Sequence, residues 1–519
     1  MNHSMKRLLI LLVALQFLPL PPPPAVAGPK STAEASSSVT RESIVGSRPN
    51  IILIMTDDQS MGDFSCFGNP ALRTPNLDLF REKSTRFTDF HVSPSCSPTR
   101  AALLSGRHEF RNGVTHTILE RDRMALSTTT VAELLRTAGY DCGIFGKWHL
   151  GDEDAYQPYN RGFNEVFIHG AGGIGQSFRG SLADFPPNQV KETCYFDNVL
   201  LHNDTIVQTK GYCTDVFFHA ALGWIKKQHE AGTPYFAYLA PNAPHGPMMA
   251  PEKNLNHFLE MGYDRETAGR YAMIENLDEN MGLFVEKMDE WQAWDNTLVI
   301  FMTDNGQGSS SGWDNGMTLN GEKLPLYLAG FKSGKLSPYE GGTHVPAFWR
   351  WKGVLSEAVD IPALTAHVDV LPTFCELAGA TIPGDIQELD GRSMLPLLKD
   401  PEAEWPDREL FVHCGRWGRG KDPDTGKYTK FAVRTQRWRW VNGSELYDIA
   451  NDSYESTNVI DDHPDVVARL RKTYEEWWEK TLPFMVNEDV PLAEGHPQVI
   501  RYEKQLREKG IPDWVPPEI

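Results

Sequence analysis

Asn50-Ile51-Ile52-Leu53-Ile54-Met55-Thr56-Asp57-Asp58-Gln59 is an unbroken apolar run that stops on two adjacent carboxylates. It is short, rich in β-branched residues and shows no polar alternation, which predicts a parallel strand buried on both faces. Open α/β sheets bind their ligands at the carboxyl ends of such strands. Asp57 and Asp58 are therefore candidate ligands for a hard divalent cation, which prefers carboxylate oxygens. Read alone, such a pair is more often a solvated turn after a strand than a metal site.

Three further apolar runs repeat the arrangement. Asp141 to Phe145 leads into Gly146-Lys147-Trp148-His149-Leu150-Gly151, and Pro234 to Leu239 leads into Ala240-Pro241-Asn242-Ala243-Pro244-His245-Gly246-Pro247. Thr297 to Met302 ends in Thr303-Asp304-Asn305-Gly306, a carboxylate beside an amide and so two more oxygen ligands. Helical patterns separate the runs: from Thr74 through Pro75 to Phe80, Thr129 to Ala138 closed by Gly139, Asp215 to Lys226, and Tyr271 to Trp291. Alternating strands and helices predict a doubly wound, mostly parallel sheet. In extended backbone Lys147 and His149, two apart, face the same side. Prolines hold His245 at a strand end, where a group titrating near neutral pH suits proton transfer to a leaving oxygen; a structural loop histidine is the alternative. No Cys/His cluster has zinc spacing.

Phe87 to Phe90 reads as a strand leading into Cys96-Ser97-Pro98-Thr99-Arg100-Ala101-Ala102-Leu103-Leu104-Ser105-Gly106-Arg107. Pro98 and Thr99 suit the first turn of a helix, which places Cys96 at the N-terminus, where backbone N–H groups favour an anion. Arg100, one turn on, points back toward the same spot. A buried cysteine in a strand-to-helix corner is the other reading.

Cys96, Pro98 and Arg100, continued by Leu104, Gly106 and Arg107, resemble the C-x-P-x-R signature of the type I sulfatases. The resemblance extends to the Asp57-Asp58 pair, to G-K-W-H-x-G at 146–151, to the P-H-x-P context of His245, and to Gly334-Lys335 through Tyr339-Glu340-Gly341-Gly342 to Pro346. Where the family usually has arginine in that last run this chain has His344, whose role stays open. The resemblance covers about residues 48 to 480. It implies the alkaline-phosphatase-like α/β fold with a smaller C-terminal α+β domain carrying an antiparallel sheet. It also implies that Cys96 is oxidised to formylglycine by a modifying enzyme, and that Asp57, Asp58, Asp304, Asn305 and residue 96 hold Ca²⁺ or Mg²⁺. Arg100, Lys147 and Lys335 would neutralise the sulfuryl oxygens, His245 would protonate the leaving alcohol and His149 would take a proton from the second hydroxyl of the hydrated aldehyde. Asp369, before a helix ending near Ala378, is read as structural. The implied activity is sulfate-ester hydrolysis, with a sulfated carbohydrate or an aryl sulfate as substrate. Trp148 and Trp313 offer stacking faces for a sugar. The rival readings are a formylglycine-dependent phosphonate or phosphodiester hydrolase and a non-catalytic protein that binds sulfated glycans.

The ends of the chain complete the picture. Lys6-Arg7, an apolar run from Leu8 to Leu20 and Ala25-Val26-Ala27 form a cleaved secretory signal over residues 1–27, so the protein is expected in the periplasm or secreted. A polar leader occupies 28–47, the catalytic domain 48–400 and a small domain 401–519, with hairpin strands joined by Asn442-Gly443 and an amphipathic helix from Pro464 to Trp478. No other stretch is long and apolar enough to span a membrane. A net charge of −19 over 519 residues argues against nucleic acid as partner. Seven cysteines are too few for a disulfide scaffold; Cys194 and Cys213 are the most plausible pair, although spacing does not establish a bridge. Gly170, Gly172, Gly173 and Gly175 form a loop without phosphate-binding spacing, expected to shape the substrate pocket.

Overall fold

The strand Asn50–Thr56 lies at the centre of a ten-stranded sheet, hydrogen-bonded on one side to Thr297–Thr303 and on the other to Tyr235–Ala240, both parallel to it. Asp141–Lys147 and Glu165–His169 continue the parallel stretch beyond Tyr235–Ala240. Antiparallel strands close both flanks: Ala347–Trp351 beside Thr297–Thr303, and Val199–His202 with Thr205–Gln208 at the far edge. This computed structural model describes residues 43–118, 121–174, 193–308, 316–417, 420–491 and 493–519. The expected signal peptide, most of the leader, Gly175 and Trp313 lie outside the described residues.

The four core strands are buried almost throughout, as unbroken apolar runs require. One core cluster covers one face of the sheet with Leu103, Leu104, Leu134, Leu371 and Phe374, and a second covers the other with Phe217, Leu222, Leu277 and Phe284. The helix Val131–Thr137 opens on the expected cap: Thr130 Oγ1 accepts from the Glu133 N–H, the Glu133 carboxylate accepts from the Thr130 N–H, and Gly139 at φ +80° follows the end. Helices Cys213–Ala231 and Arg265–Glu290 are longer than their sequence patterns suggested.

The segment before Cys96 differs from expectation. It is two short strands, Thr85–Phe87 in the large sheet and Phe90–His91 paired with Thr365–Ala366, because the chain leaves the sheet at Thr88-Asp89, where the Asp89 carboxylate takes Arg434 and His91. No disulfide joins Cys194 to Cys213. Cys213 is a free thiol that turns instead to the Asn242 side-chain oxygen at 3.5 Å.

Beyond residue 400 a four-stranded antiparallel sheet forms from Leu410–His413, Phe431–Arg434, Trp438–Val441 and Glu445–Asp448, with the helix Pro464–Thr481 packed on it through Leu470, Tyr474 and Trp478. Asn442 at φ +50° and Gly443 at φ +74° make the predicted primed hairpin turn. The helix Pro497–Lys509, absent from the sequence reading, returns to the large sheet: Gln505 bonds Ile206 through both its side-chain groups, and the Trp514 ring lies 4.9 Å from that of Phe167. Among the described residues no helix is long and apolar enough to cross a membrane.

Candidate active site

The carboxyl ends of the four central strands converge on the start of one helix. That helix runs Cys96–Ser105, with Cys96 at its N-terminus and Pro98 in its first turn as the sequence predicts, extended Ser95 as N-cap and left-handed Gly106 closing it. All ten of its residues are buried, so Arg100 cannot reach solvent and its guanidinium must be satisfied internally. It donates to Asp304 Oδ2 at 2.7 Å and to the Lys147 carbonyl at 2.9 Å. Cys96, Asp57 and Asp304 each place a ligand atom within 4.8 Å of one another.

The two carboxylates of the first strand diverge because Asp58 takes a left-handed backbone, φ +64°. Its N–H donates to Asp304 Oδ1 at 3.1 Å, tying the ends of two neighbouring strands together. Asp57 Oδ2 accepts from Lys147 Nζ at 2.5 Å; Asp58 Oδ1 accepts from Lys335 Nζ at 2.6 Å and from Asn305 Nδ2 at 2.8 Å. Gly308 is required beside them, since a Cβ there would lie 2.2 Å from Asp58 Oδ2. Two oxygens of this buried set, Asp57 Oδ1 and Asn305 Oδ1, have no hydrogen-bond donor. Unpaired acceptors in a dry site are costly, and a hard cation is the ligand that satisfies them. The donor set therefore fits Ca²⁺ or Mg²⁺.

Burial pushes the Asp57 carboxyl up to about 6 against the pull of Lys147, and burial with the Asp57 charge pushes Asp304 up to about 6 as well. Burial acts the same way on Asp58, but Lys335, His245 and Lys147 outweigh it and hold that group well below the usual carboxylate range. At Cys96 burial opposes ionisation, yet Lys147 and Lys335 draw the thiol below its ordinary value. Three carboxylates thus face three cations, Arg100, Lys147 and Lys335, and a bound cation would make the pocket positive, the condition for holding an anion.

The two histidines are fixed in opposite senses. His245 Nδ1 faces the Gly246 carbonyl at 2.8 Å and so carries the hydrogen, leaving Nε2 turned to Asp58 Oδ2 at 3.9 Å. His149 Nε2 faces the Thr117 carbonyl at 2.8 Å, leaving Nδ1 as a buried lone pair without a partner. Burial lowers both, helped by Lys335 at His245, which falls to about 4, and by Lys147 at His149, which falls well below the ordinary imidazole value. The extended geometry expected between Lys147 and His149 is not what brings them together. His149 is left-handed at φ +58°, and that turn, not a shared strand face, aims its ring.

All ten sequence-derived candidates, Asp57, Asp58, Cys96, Arg100, Lys147, His149, His245, Asp304, Asn305 and Lys335, fall in this one region. Trp148 does not serve as a stacking face: it is 1% exposed, its Nε1 donates to the Tyr156 carbonyl at 3.0 Å, and its ring meets Phe163. His344 lies outside the site, bonded to Glu340 and the Thr88 carbonyl. Sequence reasoning missed Arg270, which donates to the Asp58 carbonyl at 2.9 Å and to Asp63 at 2.7 Å. Its only trace was an arginine on the inner face of a long helix.

The Sulfatase family profile matches residues 49–380, and the profile for the C-terminal region of N-sulphoglucosamine sulphohydrolase matches 334–480. The chain is 31% identical over 427 residues to the N-acetylgalactosamine-6-sulfatase of Homo sapiens, covering 79% of this chain and 76% of that protein. It is 31% identical over 453 residues to the arylsulfatase A of Homo sapiens, covering 82% of each. The crystal structure of Ps i-CgsB in complex with k-i-k-neocarrahexaose superposes with a TM-score of 0.71 at 27% identity, covering 89% of this chain and 98% of that one. The strand ends that carry the site all lie inside the matched segment, and the chain belongs to the type I, formylglycine-dependent sulfatase family, a family of sulfuric-ester hydrolases.

Proposed function

We propose that this chain hydrolyses a sulfate ester carried by a carbohydrate, with residue 96, converted from cysteine to formylglycine, as the nucleophile. The observation that carries the reading is the set of unpartnered buried acceptors, Asp57 Oδ1, Asn305 Oδ1 and His149 Nδ1, around a cysteine flanked by Arg100, Lys147 and Lys335. Asp57, Asp58, Asp304 and Asn305 would hold the cation, which would supply Lewis-acid charge when bound. The hydrated aldehyde supplies one oxygen to attack sulfur and a second hydroxyl whose deprotonation allows sulfate to leave.

The protein's own groups then divide the work. Lys147, Lys335 and Arg100 donate to the developing negative charge from fixed positions, which is electrostatic preorganisation. The attacking hydroxyl would give its proton to Asp304, S–O cleavage would pass the bond's electron pair to the sugar oxygen, and His245, having taken a proton from solvent at Nε2, would deliver it there. Its Nδ1 hydrogen bond to Gly246 keeps Nε2 as the atom that gains and gives that proton. His149, neutral and bonded through Nε2, takes the second proton at Nδ1.

Sulfated sugars are the favoured substrates because the relatives include an N-acetylgalactosamine-6-sulfatase and a structure holding a neocarrahexaose. Export through the 1–27 signal and conversion by a formylglycine-generating enzyme belong to the same reading. Turnover is measured on a panel of singly sulfated saccharides, nitrophenyl sulfate and an aryl phosphodiester. The expected result is release of sulfate from at least one saccharide, faster than the phosphodiester is cleaved. Preference for the phosphodiester would establish the rival hydrolase, and binding without turnover by fully modified protein would establish the non-catalytic reading.

A further inference from the structure

One cation near the site takes no part in the chemistry above. Arg416 follows the strand Leu410–His413, and the chain reaches the active-site rim through two consecutive left-handed residues, Gly415 at φ +61° and Arg416 at φ +74°. That conformation is strained for arginine. It is held by a close approach to the loop after the Cys96 helix: the Arg416 N–H donates to the Thr115 carbonyl at 3.1 Å, and a Cβ at position 415 would stand 2.0 Å from the same oxygen.

The side chain is placed as firmly as the backbone. Arg416 Nη2 donates to Thr117 Oγ1 at 2.7 Å, and the Thr117 carbonyl is the acceptor that orients His149. The guanidinium is half-buried, its Nε has no hydrogen-bond partner, and among the described residues no carboxylate forms an ion pair with it. His116, beside it, adds no charge, because its Nδ1 accepts from the Thr117 N–H at 2.8 Å and from the Ile118 N–H at 3.1 Å. Two members of the site, Cys96 and Asp58, lie near enough to act on the Arg416 charge, while Cys414 on its own segment is a neutral thiol that burial pushes up to about 12.

We infer that Arg416 is a specificity residue that holds a second oxyanion of the substrate, a neighbouring sulfate or a uronate carboxylate, beside the sulfate to be cleaved. A guanidinium without a carboxylate partner matches such a group through charge-assisted hydrogen bonds, while Thr117 fixes its direction. In a protein of net charge −19, a cation kept clear of ion pairs at this rim selects for an anionic ligand.

This inference rests on the sulfatase reading, and the test separates the two. Arg416→Gln and Arg416→Lys are made in the full chain; both introduce residues with the same backbone constraint as arginine. Steady-state kinetics are compared on nitrophenyl sulfate, a singly sulfated neutral saccharide, a disulfated saccharide and a sulfated uronate-containing saccharide. The expected result is that Arg416→Gln lowers kcat/KM on one of the doubly anionic saccharides by roughly ten- to a hundredfold more than on nitrophenyl sulfate, mostly through KM. Arg416→Lys recovers part of that difference. The substrate that shows the excess loss identifies sulfate or carboxylate as the group bound. An equal loss on all four substrates, carried by kcat, overturns the inference and makes Arg416 a support for Thr117 and His149; no loss overturns it as well. Failure of the unaltered protein on every sulfate ester would instead overturn the sulfatase reading and this inference with it.

Discussion

Among the described residues two clusters have the composition of a metal site, and only one of them is built like one. In the first, Asp57, Asp58, Asp304 and Asn305 meet Cys96 at the ends of parallel strands. In the second, Asp89, His91, Glu340 and His344 place their ligand atoms within 4.8 Å of one another. The second cluster is closed. Glu340 Oε1 takes Arg434 Nε and Arg439 Nη2, each at 2.9 Å, while Oε2 takes His344 Nδ1 at 2.9 Å. Asp89 takes Arg434 and His91, and His344 places its other nitrogen on the Thr88 carbonyl at 2.8 Å. With acceptors at both nitrogens His344 is an imidazolium, and contact with Glu340 raises its pKa against the effect of burial. No acceptor is left over for an ion. The first cluster keeps two bare oxygens and a bare imidazole nitrogen. Unsatisfied valence, not residue type, separates a ligand site from a clamp.

The largest expected effect breaks the open cluster. Asp304→Ala removes a proposed cation ligand and leaves Arg100 buried without its carboxylate, and should lower turnover by roughly a thousandfold or more with the fold retained by circular dichroism. Retained turnover would show that the bare oxygens are a packing defect. The next test sharpens the division between the histidines. His245→Ala should slow a sugar sulfate by a factor of roughly a hundred to ten thousand, and nitrophenyl sulfate far less, since nitrophenolate leaves without a proton. Equal slowing of both substrates, with S–O cleavage rate-limiting, would make His245 structural.

The closed cluster should answer in stability instead. Glu340→Gln removes the charge that buried Arg434 and Arg439 share, leaving Arg434 to Asp89 alone, and should cost roughly 3–5 kcal/mol by urea denaturation. A loss in turnover without a loss in stability would mean that the second cluster belongs to the site. The smallest effect concerns His413, at the end of the strand Leu410–His413, among Phe110, Trp417 and Trp478. Its Nδ1 accepts from the Gly415 N–H at 2.8 Å and its Nε2 donates to the Gly426 carbonyl at 3.1 Å, and burial holds it neutral with a pKa of about 3. The unfolded chain takes up this proton below about pH 6.5 and the folded protein only near pH 3. Its contribution is therefore full above about 6.5 and is lost as pH falls toward 3. Compared with the unaltered protein, His413→Gln should show a shallower decline in stability between pH 6.5 and 4, by up to about 1.4 kcal/mol per pH unit. Identical slopes would contradict the locked neutral ring.

What was legible in the sequence was whatever a single strand and its exit carry. Asn50–Thr56 and Thr297–Thr303 announce themselves as buried strands, and their oxygen ligands follow within two residues. Contacts between distant segments left no such trace. The left-handed turn at His149, the burial of Trp148 under Tyr156, and the exit of the chain at Thr88-Asp89 toward Arg434 are set by partners that the local pattern does not contain. Arg270 and Arg416 act across more than two hundred residues of sequence, and their neighbours in the chain give no hint of it. His344 was legible only as a departure from a family pattern; its place opposite Glu340 explains why a cation is wanted there.

The open cluster is proposed to surround a modified residue 96, and peptide mass spectrometry of the active protein reads that residue's chemical state. The peptide containing Cys96 should carry an aldehyde in place of the thiol, and specific activity should rise in proportion to the fraction converted. Fully active protein in which that peptide carries only the unmodified thiol would contradict the account.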